Sequence, residues 1–246
     1  MKQQPTLTEH SSAKPILLLT RPEAGAQRVL QACEEVIGCV PDALVSPVLE
    51  ITPVGDWPDL TPYKSVILTS AHACLGTLTG CEAYCVGERT AAAAREKGAE
   101  IVHVSPDAAR LMDEVPAMHH RAIYLRGKEI SADLAAQYGC DEKIVYDQQA
   151  RPLTDAAKTA LAGERPVILP LFSPRSARLV AEGVTMLGQN IHVLALSPAV
   201  AHAWEAALPA GACPVPVEIC ATPTQVEMVG RIVASLGPQQ VDKDKG

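Results

Sequence analysis

The segment from Ala83 to Gly98, AYCVGERTAAAAREKG, admits few structures. A short apolar run meets Gly87, and the alanine-rich stretch beyond it has the composition of a helix. Thr90 stands where that helix begins. Arg95 and Lys97 occupy the last turn before Gly98, where cations and a closing glycine are favoured. The outcome is a strand, a tight glycine turn and a helix whose first N–H groups face whatever lies beyond the strand end. Such an end binds anions without a charged side chain.

Most of the chain repeats this device. Ile16 to Leu19 is a continuous apolar run, followed by Thr20-Arg21-Pro22 and an amphipathic helix closing near Gly38. Val66 to Leu68, Glu100 to Val104 and Ile123 to Leu125 are further strands; the last turns at Arg126-Gly127 into a helix ending at Tyr138. Val167 to Phe172, Ile191 to Leu196 and Val215 to Cys220 follow. Their helices open at Ser173-Pro174 (running towards Leu187), Ser197-Pro198 and Pro223-Thr224. Proline suits the first helical position, where its missing N–H would be unpaired anyway. Short apolar runs alternating with helices argue for parallel sheets covered on both faces.

Two proline-bounded stretches, Ala43 to Val54 and Lys143 to Leu153, lack helical periodicity and read as extended connectors. They bracket a block with its own strand–helix units. The economical architecture is α/β, with two flavodoxin-like parallel-sheet lobes joined by a two-stranded connector. One lobe is discontinuous (14–43 plus 155–237) and the other continuous (56–141). The connectors are 44–55 and 142–154, and 1–13 and 238–246 are loose tails. Ligands of open parallel sheets bind outside the carboxyl ends of the strands, so two such edges facing each other would make a cleft.

Composition excludes several functions. With a net charge of −7, 3% aromatics and a single Phe, a nucleic-acid reader is disfavoured. No apolar run approaches a membrane span, and the polar N-terminal tail has no signal-peptide pattern, so a cytoplasmic protein is expected. None of the eight cysteines forms a C-x-x-C pair, so they read as reduced thiols packed as small hydrophobes. Nucleotide-binding, zinc-protease and serine-hydrolase motifs are absent. His72, His103, His119, His120, His192 and His202 lack ligand spacing. No metal and no cofactor is indicated.

The residues following the strands are Thr20-Arg21, Thr69-Ser70, Gly87 with Thr90, Arg126-Gly127, Ser173, Ser197 and Thr222 to Thr224. They are hydroxyls, glycines and two arginines, with no carboxylate pair. Each position alone reads as a helix cap. Together they suit a ligand bearing several carboxylates or phosphates, each helix end contributing roughly 0.3–1 kcal/mol to holding an anion. Arg21, Ser70, Gly87, Thr90, Arg126, Ser173, Ser197 and Thr224 are therefore the candidate binding residues.

The order and spacing of LLLTRPE (17–23), VILTSAHA (66–73), VGERTAAAAREKG (86–98), LRG (125–127), IVY (144–146), LFSPRSA (171–177) and ATPT (221–224) resemble the uroporphyrinogen-III synthase family over nearly the whole chain. The resemblance implies the HemD-like pair of lobes and a cofactor-free lyase of tetrapyrrole and heme biosynthesis. Such an enzyme cyclises hydroxymethylbilane with loss of water, inverting the last ring through a spiro intermediate. The substrate's eight carboxylates would suit helix N-termini. Tyr146 matches the family's tyrosine on the second connector strand, proposed to protonate the departing hydroxyl. Ser70, Thr90 and Ser173 match hydroxyls facing the cleft. Ser131 and Ala199 depart from the arginine and threonine many members carry, with Arg126, Lys128 or Arg175 as candidates for compensation. The family also implies a monomer and raises transient contact with hydroxymethylbilane synthase. Two other classes compete: a non-enzymatic two-lobed binding protein for a small polyanion, and a regulatory flavodoxin-like module. The latter would need an acidic phospho-acceptor pocket, which the strand ends lack.

Overall fold

The computed structural model describes residues 13–118, 120–130, 132–212 and 215–237. The expected tails, apart from Ala13, lie outside these residues, as do His119, Ser131 and Cys213. Two compact units emerge. One comprises the chain through Leu49 together with Ala150 onward, and the other runs from Glu50 to Gln149.

The first unit is built on a five-stranded sheet. Its strands are β1 (Ile16–Leu19), β2 (Ala43–Val45), β9 (Val167–Leu171), β10 (Ile191–Ala195) and β11 (Val217–Ile219), in the order β11-β10-β9-β1-β2. Every pairing is parallel. Leu17 to Leu19 and all of β9 are buried, as strands covered on both faces must be. Helices α1 (Glu23–Ile37) and α8 (Gln225–Leu236) share one core with Leu17, Leu19 and Ile168. Helices α5 (Asp155–Ala162), α6 (Pro174–Gly183) and α7 (Pro198–Ala207) cover the core of Leu18, Leu169 and Trp204.

The second unit carries β3 (Leu49–Pro53), β4 (Ser65–Leu68), β5 (Glu82–Val86), β6 (Glu100–Ser105), β7 (Ala122–Gly127) and β8 (Asp141–Ala150), ordered β3-β8-β7-β4-β5-β6. Pairings from β8 to β6 are parallel. The edge pair differs: Val54 N–H bonds Val145 O, and Arg151 N–H bonds Val48 O. Rising number on one strand meets falling number on the other, so β3 and β8 form an antiparallel ribbon. Three helices complete the unit: α2 (Glu88–Glu96), α3 (Ala108–Glu114) and α4 (Leu134–Tyr138).

Several local expectations are corrected. Arg126 and Gly127 are not a turn but the last residues of β7, paired with Ile144 and Tyr146 of β8. The stretch after β4 holds only a 3-10 turn, Ala71–Ala73. Thr90 does not cap α2; Gly87, at φ +80°, precedes the helix and Thr90 lies buried in its first turn. The helix after Ser173 ends at Gly183 rather than Leu187. Helices α3 and α5 add to the elements expected from the sequence; Asp107 and Thr154 cap them. Five of the seven described cysteines are buried, and all seven are free thiols.

Candidate functional site

In an open parallel sheet the strand order reverses about the first-formed strand, leaving a crevice at the carboxyl edge. In the second unit that point lies between β4 and β7, and in the first unit between β1 and β9. The candidate residues gather at both edges.

At the second unit's edge, β4 runs into Thr69 and Ser70. The Ser70 hydroxyl oxygen accepts the His72 N–H at 3.2 Å and so caps the 3-10 turn. Thr69 Oγ1 lies 2.9 Å from the hydroxyl of Tyr124, a β7 residue that sequence reasoning missed. Burial pushes the Tyr124 phenol above its ordinary pKa. Just beyond β5, Gly87 precedes α2 with no side-chain cap, the arrangement that leaves a helix end suited to an anion. Thr90, in the first turn of α2, is 5% exposed.

Arg126 is committed within the fold. Its Nε and Nη2 donate to the two Glu142 carboxylate oxygens at 2.8 and 2.9 Å, and Nη1 donates to Gly127 O and Lys128 O at 3.0 and 3.3 Å. The Arg126 bond holds the Glu142 carboxyl below the usual range. These bonds engage a guanidinium read from sequence as a carboxylate receptor. Tyr146 sits beside it on β8, level with Gly127 and 4% exposed. The Tyr146 ring lies 5.8 Å from the His72 ring at a 58° tilt. Ligand spacing gives His72 no role; its place just beyond the end of β4, among the strand-end residues, is the signal that locates it.

At the first unit's edge, the Arg21 guanidinium stacks 4.1 Å over the Phe172 ring. Ser173 caps α6, accepting the Ser176 N–H at 3.2 Å and donating to Ser176 Oγ at 2.9 Å. Thr224 caps α8 by accepting the Glu227 N–H at 3.2 Å, in an exposed position. Ser197 differs from these, preceding α7 with extended backbone and no side-chain cap. Gly87 and Ser197, like Pro22 before α1, precede helices that have no side-chain cap, although Glu88 places a carboxylate in the first turn of α2.

The family model described as uroporphyrinogen-III synthase HemD matches residues 41–214. The solved uroporphyrinogen-III synthetase from Helicobacter pylori is 19% identical, with a TM-score of 0.59 over 91% of this chain and 99% of that one. A mutant uroporphyrinogen III synthase from Thermus thermophilus is 16% identical, with a TM-score of 0.50 over 92% and 100%. No curated protein shows a significant match. At such identities the structures establish the shared α/β fold, while the family model spans well over half of the sequence. No described helix is long and apolar enough to cross a membrane. A purely ligand-binding role is accordingly not favoured: the chain belongs to the uroporphyrinogen-III synthase family, lyases of tetrapyrrole biosynthesis.

Proposed function

We propose that the chain converts hydroxymethylbilane to uroporphyrinogen III, releasing one water. The observation that carries this reading is local. Tyr146 lies level with the end of β7, beside the crevice flanked by Ser70 and, one strand further, by the uncapped start of α2 at Gly87. A phenol with anion-binding N–H groups nearby matches a substrate bearing a leaving hydroxyl among carboxylates.

In the proposed reaction the Tyr146 hydroxyl gives its proton to the departing hydroxyl, and water leaves. The cation that remains is attacked by the substituted carbon of the last ring, giving a spiro intermediate. Reopening and closure with that ring reversed release one proton, which restores the phenol. A phenol is a reluctant acid at neutral pH, so positioning supplies much of the rate. Each 1.4 kcal/mol favouring the inverted closure is about tenfold over the uninverted one. Ser70, Gly87, Ser173, Ser197 and Thr224 take substrate carboxylates through main-chain and hydroxyl donors, with Arg21 adding charge. The finer reading adds a monomer in the cytoplasm that receives its unstable substrate by transient contact with hydroxymethylbilane synthase. Incubation with enzymatically generated hydroxymethylbilane, followed by separation of product isomers, tests the activity. Isomer III is expected, and isomer I alone rejects it.

A further inference from the structure

A positive φ is not what calls for glycine at Gly127. It is the last residue of β7, at a shift in the β7–β8 register between Arg126 and Gly127. Its neighbour supplies the reason. A Cβ built on Gly127 would lie 2.6 Å from Tyr146 Cζ, 2.8 Å from Cε2 and 2.9 Å from the hydroxyl oxygen. Those atoms are the hydroxyl end of the ring, so even a methyl group here displaces the reactive end. The tyrosine main chain cannot simply retreat, because its carbonyl accepts the Lys128 N–H at 3.0 Å within the β7–β8 pairing. The His72 ring, carried on the turn that Ser70 caps, also borders the phenol.

We propose that Gly127 is a positioning residue for Tyr146, with His72 as a second wall, together fixing where the phenol hydroxyl points. The inference rests on Tyr146 being the proton donor. Misplacing a reacting group by about 1 Å can cost on the order of a hundredfold in rate. The full-length chain is compared as wild type, G127A, Y146F and G127A/Y146F, measuring kcat and KM for isomer III and the melting temperature.

G127A is expected to lower kcat by about tenfold to a hundredfold, with KM within about twofold. In the Y146F background the same change should alter kcat by less than about twofold, since no proton donor remains to be misplaced. Melting should fall in both backgrounds, because phenylalanine retains the clashing Cζ and Cε2. If G127A costs kcat equally in both backgrounds, or leaves it unchanged in the wild type, the inference is overturned alone. If Y146F is as fast as wild type, the acid assignment and the inference fall together. Should G127A not fold, H72A and H72A/Y146F carry the same comparison: a kcat loss confined to the chain that keeps Tyr146 supports the positioning claim, and equal losses overturn it.

Discussion

Replacing Arg126 with methionine separates a structural latch from a substrate contact. The Arg126 side chain is only 12% exposed, whereas its partner Glu142 is 42% exposed. Solvent screening at the carboxylate reduces the pair to about 1 kcal/mol, well short of a buried ion pair. The two carbonyl bonds add about half a kcal/mol each once water replaces part of them. Methionine keeps the aliphatic packing of the arginine stem, so the net loss is about 2 kcal/mol. In a unit of about 100 residues that corresponds to about 8–16 °C in melting temperature. Urea unfolding should show a lowered midpoint with an unchanged slope. E142Q should cost less in the R126M background than in the wild type, because its partner is already gone. A variant that melts within about 2 °C of wild type, or an E142Q penalty equal in both backgrounds, refutes the latch. A raised KM at unchanged stability would return Arg126 to the binding residues.

Two further outcomes follow from the same chemistry. Glu142 is held below its usual value of 4.5 by Arg126, so its contribution is fully present above that pH and lost as pH falls through the lower folded value. Acid unfolding followed by circular dichroism should therefore begin below about pH 4.5, and E142Q should flatten that limb. Burial pushes the thiols of Cys33 and Cys74 up to about 11 and that of Cys85 up to about 12. These three should resist a thiol reagent at about pH 8 in the folded protein and react in urea; prompt modification under native conditions, read by mass spectrometry, would contradict their packing.

Short apolar runs make most strands legible, because a strand buried on both faces cannot alternate with polar residues. Boundaries fail where partners outside the segment decide them. Arg126-Gly127 looks like a turn in isolation, yet β8 extends alongside and keeps both residues in the ladder. Helix α5 escapes the sequence reading although Thr154 before alanine-rich sequence is a recognisable cap; α3 offers the same sign at Asp107. At the site, hydroxyl positions are readable as strand ends, but their engagement is not. Whether Ser173 spends its proton on Ser176, or Arg126 its charge on Glu142, depends on residues brought together by the fold rather than by their spacing along the chain. Tyr124 is invisible because nothing in AIYLRG distinguishes a core aromatic from one reaching Thr69.

The antiparallel ribbon of β3 and β8 has a genetic consequence. Because the chain passes from one unit to the other at Leu49/Glu50 and returns at Gln149/Ala150 on paired strands, the intervening block begins and ends side by side. Such a block behaves as a cassette: its host needs only a short hairpin to heal the excision, and the block could be exchanged without rewiring either sheet. Diversification of one half could thus proceed while the other half's strand order stayed intact.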